Sequence, residues 1–102
     1  MSGDVAVRHV VMFRWHDHVD DAAITALGAA LDRLPGAIDE IKGYVHGRDL
    51  ALSDTTFDYV LVADFESVDD FHTYRDHPEH QAFIAEHIAD AAAQRVAVQY
   101  RV

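Results

Sequence analysis

Two stretches of this sequence carry aliphatic side chains on both faces of an extended strand, which narrows the possible folds more than any other feature. In residues 5–15, Val5, Val7, His9, Val11, Phe13 and Trp15 share one face, while Ala6, Arg8, Val10, Met12 and Arg14 share the other. In residues 57–66, Phe57, Tyr59, Leu61, Ala63 and Phe65 lie on one face, and Val60 and Val62 load the other. A strand with one wet face alternates cleanly between apolar and polar residues. These two do not, so both faces of their sheet are expected to be covered near the middle.

The remaining elements follow from periodicity and punctuation. Ile24, Leu27, Leu31 and Leu34 recur at helical spacing. Asp20 or Asp21 is placed to cap that helix by accepting from a free backbone N–H, and Pro35-Gly36 predicts its stop. Ile38 and Ile41 are expected to pack in a short irregular turn. Residues 43–48 read as a short strand and 49–56 as a loop. Ser67 followed by Asp70 is a variant capping box opening a short helix through about Arg75. Pro78 suits the first turn of another helix, where its missing N–H is not needed. The inner stripe of that helix is Phe83, Ile84, His87, Ile88 and Ala91. Residues 95–102 form a closing strand in which Val96, Val98, Tyr100 and Val102 alternate with polar residues.

The order β-α-β-β-α-β predicts an α+β, ferredoxin-like fold: a four-stranded antiparallel sheet with helices on one face. No repeat, linker or low-complexity tract divides residues 1–102, so one domain is expected. Helices on one face leave the other open, and that face carries Val10, Met12, Val60 and Val62. An apolar patch of this kind usually meets a partner. Two such sheets packed face to face make a dimeric α/β barrel, so the expected partner is a second copy of the chain.

Charge and composition exclude several function classes. The formal net charge is −10, from 18 acidic residues against 8 Lys and Arg that form no run. Such a chain repels nucleic-acid phosphates and anionic membrane surfaces. With no cysteine there is no disulfide framework, thiolate metal site or cysteine nucleophile. The opening MSGDVAVRHVVMFRW has no basic region followed by a long apolar stretch, so neither a secretory signal nor a membrane span is expected there. The expected setting is the cytoplasm.

Eight histidines remain to be placed. His16, Asp17, His18, Asp20 and Asp21 match no tight metal motif and read as a solvated, helix-capping turn. His77 and His80 flank Pro78-Glu79 without an evident third ligand, and a catalytic zinc site usually needs three. No metal and no cofactor are expected, and His77 suits a helix cap. His9 lies on the helix-facing side of its strand with Val11 and Phe13, and Tyr59 and Leu61 lie on the equivalent side of theirs. Tyr74, His77 and His80 come from the helical layer above. Polar groups converging on an apolar cleft suit a small organic ligand. Histidine moves a proton near neutral pH and a tyrosine hydroxyl stabilises a developing oxyanion. Together they suit proton abstraction beside a carbonyl.

Four segments carry a family resemblance. They are Val7-Arg8-His9-Val10-Val11-Met12-Phe13-Arg14, Leu34-Pro35-Gly36-Ala37-Ile38, Phe57-Asp58-Tyr59-Val60-Leu61-Val62 and the run from Tyr74 through His77-Pro78-Glu79-His80 to Phe83. In this order and spacing they resemble the stress-responsive dimeric A/B barrel (Dabb) family across essentially the whole chain. One member type is the plant olivetolic acid cyclase, a polyketide cyclase. The resemblance implies His80 as general base and Tyr74 as an orienting or oxyanion-stabilising group, with His9 and His77 beside them. It therefore implies a cofactor-independent lyase or cyclase. The family equally contains proteins with no assigned reaction, which implies a non-catalytic, stress-related or accessory homodimer as the alternative. A third reading, monooxygenase-type chemistry, rests on Trp15 alone, and a packing role at the strand end accounts for that residue more simply.

Overall fold

The computed structural model describes residues 5–102; residues 1–4, and the part of the N-terminal leader reading that falls on them, lie outside the described residues. Strand β1 (Val7–Trp15) is followed by helix α1 (Asp21–Ala37), β2 (Gly43–Arg48) and β3 (Tyr59–Phe65). Helices α2 (Val68–Asp76) and α3 (Pro78–Phe83) come next. A single π-helical turn (Ile84–Ile88) continues α3, and β4 (Ala92–Arg101) closes the chain. The sheet order is β2-β3-β1-β4, antiparallel throughout. This is the predicted ferredoxin-like arrangement.

Local chemistry sets the element boundaries. Asp20, rather than Asp21, caps α1, its Oδ1 accepting from the Ala23 N–H at 2.9 Å. Ser67 caps α2 by accepting from the Asp70 N–H at 3.0 Å, and His77 caps α3, its Nδ1 accepting from the Glu79 N–H at 3.1 Å. The Pro35-Gly36 stop is not where α1 ends. The helix runs through both to Ala37, and the Ile38 N–H still bonds the Leu34 carbonyl at 2.9 Å. In a last turn a proline removes one ladder bond without breaking the turns before it.

The core lies between the sheet and one helical layer. Val7, Val11, Phe13, Leu61, Ala63 and Phe65 come from the sheet, and Leu27, Leu31, Leu34, Tyr74 and Phe83 from the helices. The described chain measures 43 × 28 × 17 Å, and its shortest dimension has room for one sheet and one layer of helices only. The second sheet face is therefore open. Val10 pairs with Val62 on one side and Val98 on the other, and Met12 pairs with Val60 and Val96. That face thus gains Val96 and Val98 beyond the residues expected. The polar side of β4 is turned toward the helices instead, a placement that matters for the site.

Candidate functional site

A cavity of about 370 Å³ opens between the sheet and the second helical region. His9, Val11 and Phe13 reach it from β1, Leu61 from β3, and Tyr74 and Arg75 from α2. His80, Phe83, Ile84 and Ile88 come from α3 and the π turn, and Arg95 from β4. The π turn explains part of this lining. Its Ala89 N–H bonds the Ile84 carbonyl five residues back, at 2.9 Å. The wider turn brings Phe83, Ile84 and Ile88 onto one side. His87, expected in the same stripe, is largely buried and packs on Phe83 with ring centroids 5.5 Å apart, but does not line this cavity.

The His80 ring is held by the backbone of α2. Its Nδ1 lies 3.0 Å from the Arg75 carbonyl oxygen. A carbonyl only accepts, so Nδ1 carries the proton, and in the neutral ring Nε2 keeps its lone pair. Burial lowers the His80 pKa from the usual histidine value; the Arg75 carbonyl opposes this, and the Arg95 charge reinforces it. The imidazole is therefore mostly neutral at pH 7. It packs on the Tyr74 ring, with centroids 4.1 Å apart and planes tilted by 31°.

Tyr74 is almost fully buried, and burial raises its pKa to about 12. The hydroxyl is a proton donor at neutral pH. It lies 2.8 Å from the Tyr44 hydroxyl. Burial raises the Tyr44 pKa further. Neither hydroxyl has another hydrogen-bond acceptor among the described residues, so either can donate to the other, and a ligand oxygen that accepts from Tyr74 selects the arrangement in which Tyr44 donates. In that arrangement the Tyr74 proton is available to an oxygen in the cavity.

His9 completes the polar set. It is 4% exposed, and Gln99, its partner across the β1–β4 pairing, donates from Nε2 to His9 Nδ1 at 2.8 Å. Burial first, then the Arg95 and His80 charges, lower the His9 pKa to about 4. A neutral ring that accepts at Nδ1 carries its proton on Nε2. His9 is thus a donor and His80 an acceptor, although they are the same residue type.

Two predicted site residues stand elsewhere. His77 is the α3 cap described above. Tyr59 shares the core face of β3, but its hydroxyl points to β2, 2.7 Å from His46 Nδ1, and His46 Nε2 lies 2.6 Å from Asp32. A Cβ at Gly28 of α1 would come within 3.2 Å of that hydroxyl, so a bare backbone makes room for it. Trp15 stacks on Phe13 at 5.3 Å and does not line the cavity. Among the described residues, no three His, Asp or Glu side chains gather as metal ligands. No helix among them is long and apolar enough to cross a membrane.

Arg95, Gln99 and Tyr44 escape the sequence reading. A signal for the first two exists in the alternation of β4. Once Val96 and Val98 belong to the open face, Arg95, Ala97 and Gln99 must face the helices. Tyr44 follows from the same parity in β2, opposite Ala63.

Comparison with known proteins places this architecture. No curated protein matches the chain. Among solved structures, a dimeric ferredoxin-like protein of unknown function from Thermobifida fusca YX is 42% identical, with a TM-score of 0.88 over 96% of this chain and 92% of that one. A dimeric protein of unknown function and ferredoxin-like fold from Bacteroides fragilis is 27% identical, with a TM-score of 0.84 over 95% and 96%. A hydroxynitrile lyase from Passiflora edulis shares the fold at 24% identity, with a TM-score of 0.84 over 96% and 94%. The profile of the stress responsive A/B barrel domain matches residues 7–102. The chain belongs to the stress-responsive A/B barrel (Dabb) family.

Proposed function

We propose that the cavity binds a small carbonyl compound and that His80 removes a proton from it without a cofactor, as in a lyase or cyclase. The observation that carries this reading is the 3.0 Å contact between His80 Nδ1 and the Arg75 carbonyl. It leaves the other ring nitrogen as a base on a residue that lines a largely apolar cavity. In the proposed step, Nε2 takes a proton from the carbon beside a carbonyl, and the bonding pair moves onto the carbonyl oxygen as an enolate. The Tyr74 hydroxyl and His9 Nε2–H are the donors available to that oxygen. The enolate carbon then attacks a second carbonyl of the same molecule, and the alkoxide formed takes the proton back from His80. In the lyase direction Nε2 instead takes a hydroxyl proton, the carbon–carbon bond breaks as the carbonyl forms, and the departing carbon carries off the bonding pair and is protonated by His80. The lyase of Passiflora edulis supports the reading only as far as the shared fold, which accommodates such an enzyme.

The working unit is proposed to be a homodimer joined through the open sheet face. The apolar stripe on that face supports this, as do the similar structures described as dimeric.

A screen of poly-β-ketone analogues and hydroxynitriles tests the catalytic reading. Turnover is expected in wild type, with a loss of roughly 10²–10⁴-fold in His80→Ala and a comparable loss in His80→Asn. His80→Asn retains a donor for the Arg75 carbonyl and so guards against misfolding. Turnover unchanged in both variants rejects His80 as the base. A wild-type chain that binds such compounds without converting them favours the non-catalytic, accessory reading.

A further inference from the structure

The sequence contains 18 acidic residues against 8 Lys and Arg. Even so, no aspartate or glutamate lines the cavity between sheet and helices, while two arginines do. The two differ. Arg75 is held by its neighbour Asp76, with Nε and Nη2 donating to the carboxylate at 2.9 and 3.0 Å. Arg8 is likewise paired with Asp64, and Arg48 with Asp21, whereas Arg14, Arg33 and Arg101 have no acidic partner among the described residues and do not line this cavity. Arg95 has no acidic partner among the described residues. It lies opposite Phe13 in the β1–β4 pairing, on the side that faces the helices, and is exposed enough to stand at the cavity mouth. Its charge reaches His9, Tyr74 and His80.

An unpaired guanidinium at the rim of an apolar cavity, in a protein this acidic, is chemically suited to select an anionic ligand. Its planar fork matches a carboxylate bidentately. The acidic surface repels small anions in general, so a local cation is needed to hold one here. Resting on the reading of this cavity as a small-molecule site, we propose that its substrate class is an organic anion. The ligand is an oxo acid whose carboxylate sits on Arg95 and whose apolar body lies against Val11, Phe13 and Ile84. Its keto group then falls toward His9, Tyr74 and His80. Neutralising Arg95 in this way also removes one of the charges that hold down the His80 pKa, so the bound anion makes its own base stronger.

The test is an NMR titration of the full chain with 4-oxo-4-phenylbutanoate and with its neutral amide, which have the same body and differ in charge. The carboxylate is expected to bind roughly ten- to a hundredfold more tightly, as for a charge-assisted hydrogen-bonded pair at a partly wet site. This advantage should shrink as salt is raised. Arg95→Gln should abolish the advantage by weakening the carboxylate far more than the amide, and wild-type dispersion of the backbone amide proton spectrum shows that the variant is folded. The His80 pKa should rise on binding the carboxylate but not the amide. Equal affinity for both ligands, with His80 and Tyr74 signals moving, overturns the anion assignment and spares the small-molecule site. A carboxylate advantage that survives in Arg95→Gln also overturns it. If neither ligand binds at millimolar concentration, both readings fail.

Discussion

At the scale of single residues, the chemistry turns on two histidines with opposite proton inventories. His80 donates a hydrogen bond from Nδ1 to a backbone carbonyl, whereas His9 accepts one at Nδ1 from Gln99. Their surroundings keep both mainly uncharged at neutral pH. For His9 this has a consequence for stability. Its pKa falls from an ordinary 6.5 to about 4 on folding. Between those values the unfolded chain binds more protons than the folded one, so stability is full above pH 6.5 and declines as the pH falls toward 4. The loss is on the order of 2–3 kcal/mol. Urea denaturation at pH 7.5, 5.5 and 4.5 checks it: replacing His9 by Asn should flatten that part of the profile. A slope identical to wild type would show that His9 does not titrate differently in the two states. For His80 the same direction of shift puts the acid limb of any activity profile below pH 6.5, because the base is already free above it.

At the scale of elements, the sheet has two differently used faces. Its helix side builds the core and the cavity. Its open side carries a stripe from Val45 on β2 through Val62, Val10 and Val98, with Val60, Met12 and Val96 one pair along. Met12, Val45 and Val98 are 39%, 64% and 56% exposed in the single chain, too much aliphatic surface to leave in water on one face. Met12→Asp, placing a charge in the middle of the proposed interface, should convert a particle of twice the chain mass into a monomer in sedimentation at micromolar concentration. It should leave the far-UV spectrum unchanged. A wild type that sediments as a monomer would show that the stripe is not an interface. The two-faced loading of β1 and β3 made this legible from residues alone. The placement of β4 was not, because its valines alternate with Arg95 and Gln99 and either side is a plausible core face. Only the pairing of Val98 with Val10 decides it. The continuation of α1 through Pro35 was hidden for a different reason: a proline reads as a stop wherever it falls, and its cost depends on how many turns remain.

At the scale of the whole molecule, the fold was largely legible and the site partly so. The capping residues Ser67 and His77, the strand 43–48 and the order of elements follow from local chemistry, which acts over a few residues. His9, Val11, Phe13, Leu61, Tyr74 and His80 were found because they fall on one face or in one short segment. Tyr59 and His77 were grouped with them on the same logic. Face membership cannot show that a hydroxyl is taken by His46, or that an imidazole is spent on a helix end. Those are tertiary facts, as is the position of Arg95 in a protein whose net charge points the other way. The proposed chemistry depends most on the protonation of His80. Nitrogen-15 correlation spectra of the labelled imidazoles at pH 7 read it directly. The predicted result is a neutral His80 ring protonated at Nδ1, with Nε2 unprotonated. A ring protonated at Nε2, or at both nitrogens, would contradict the assignment of this residue as a base.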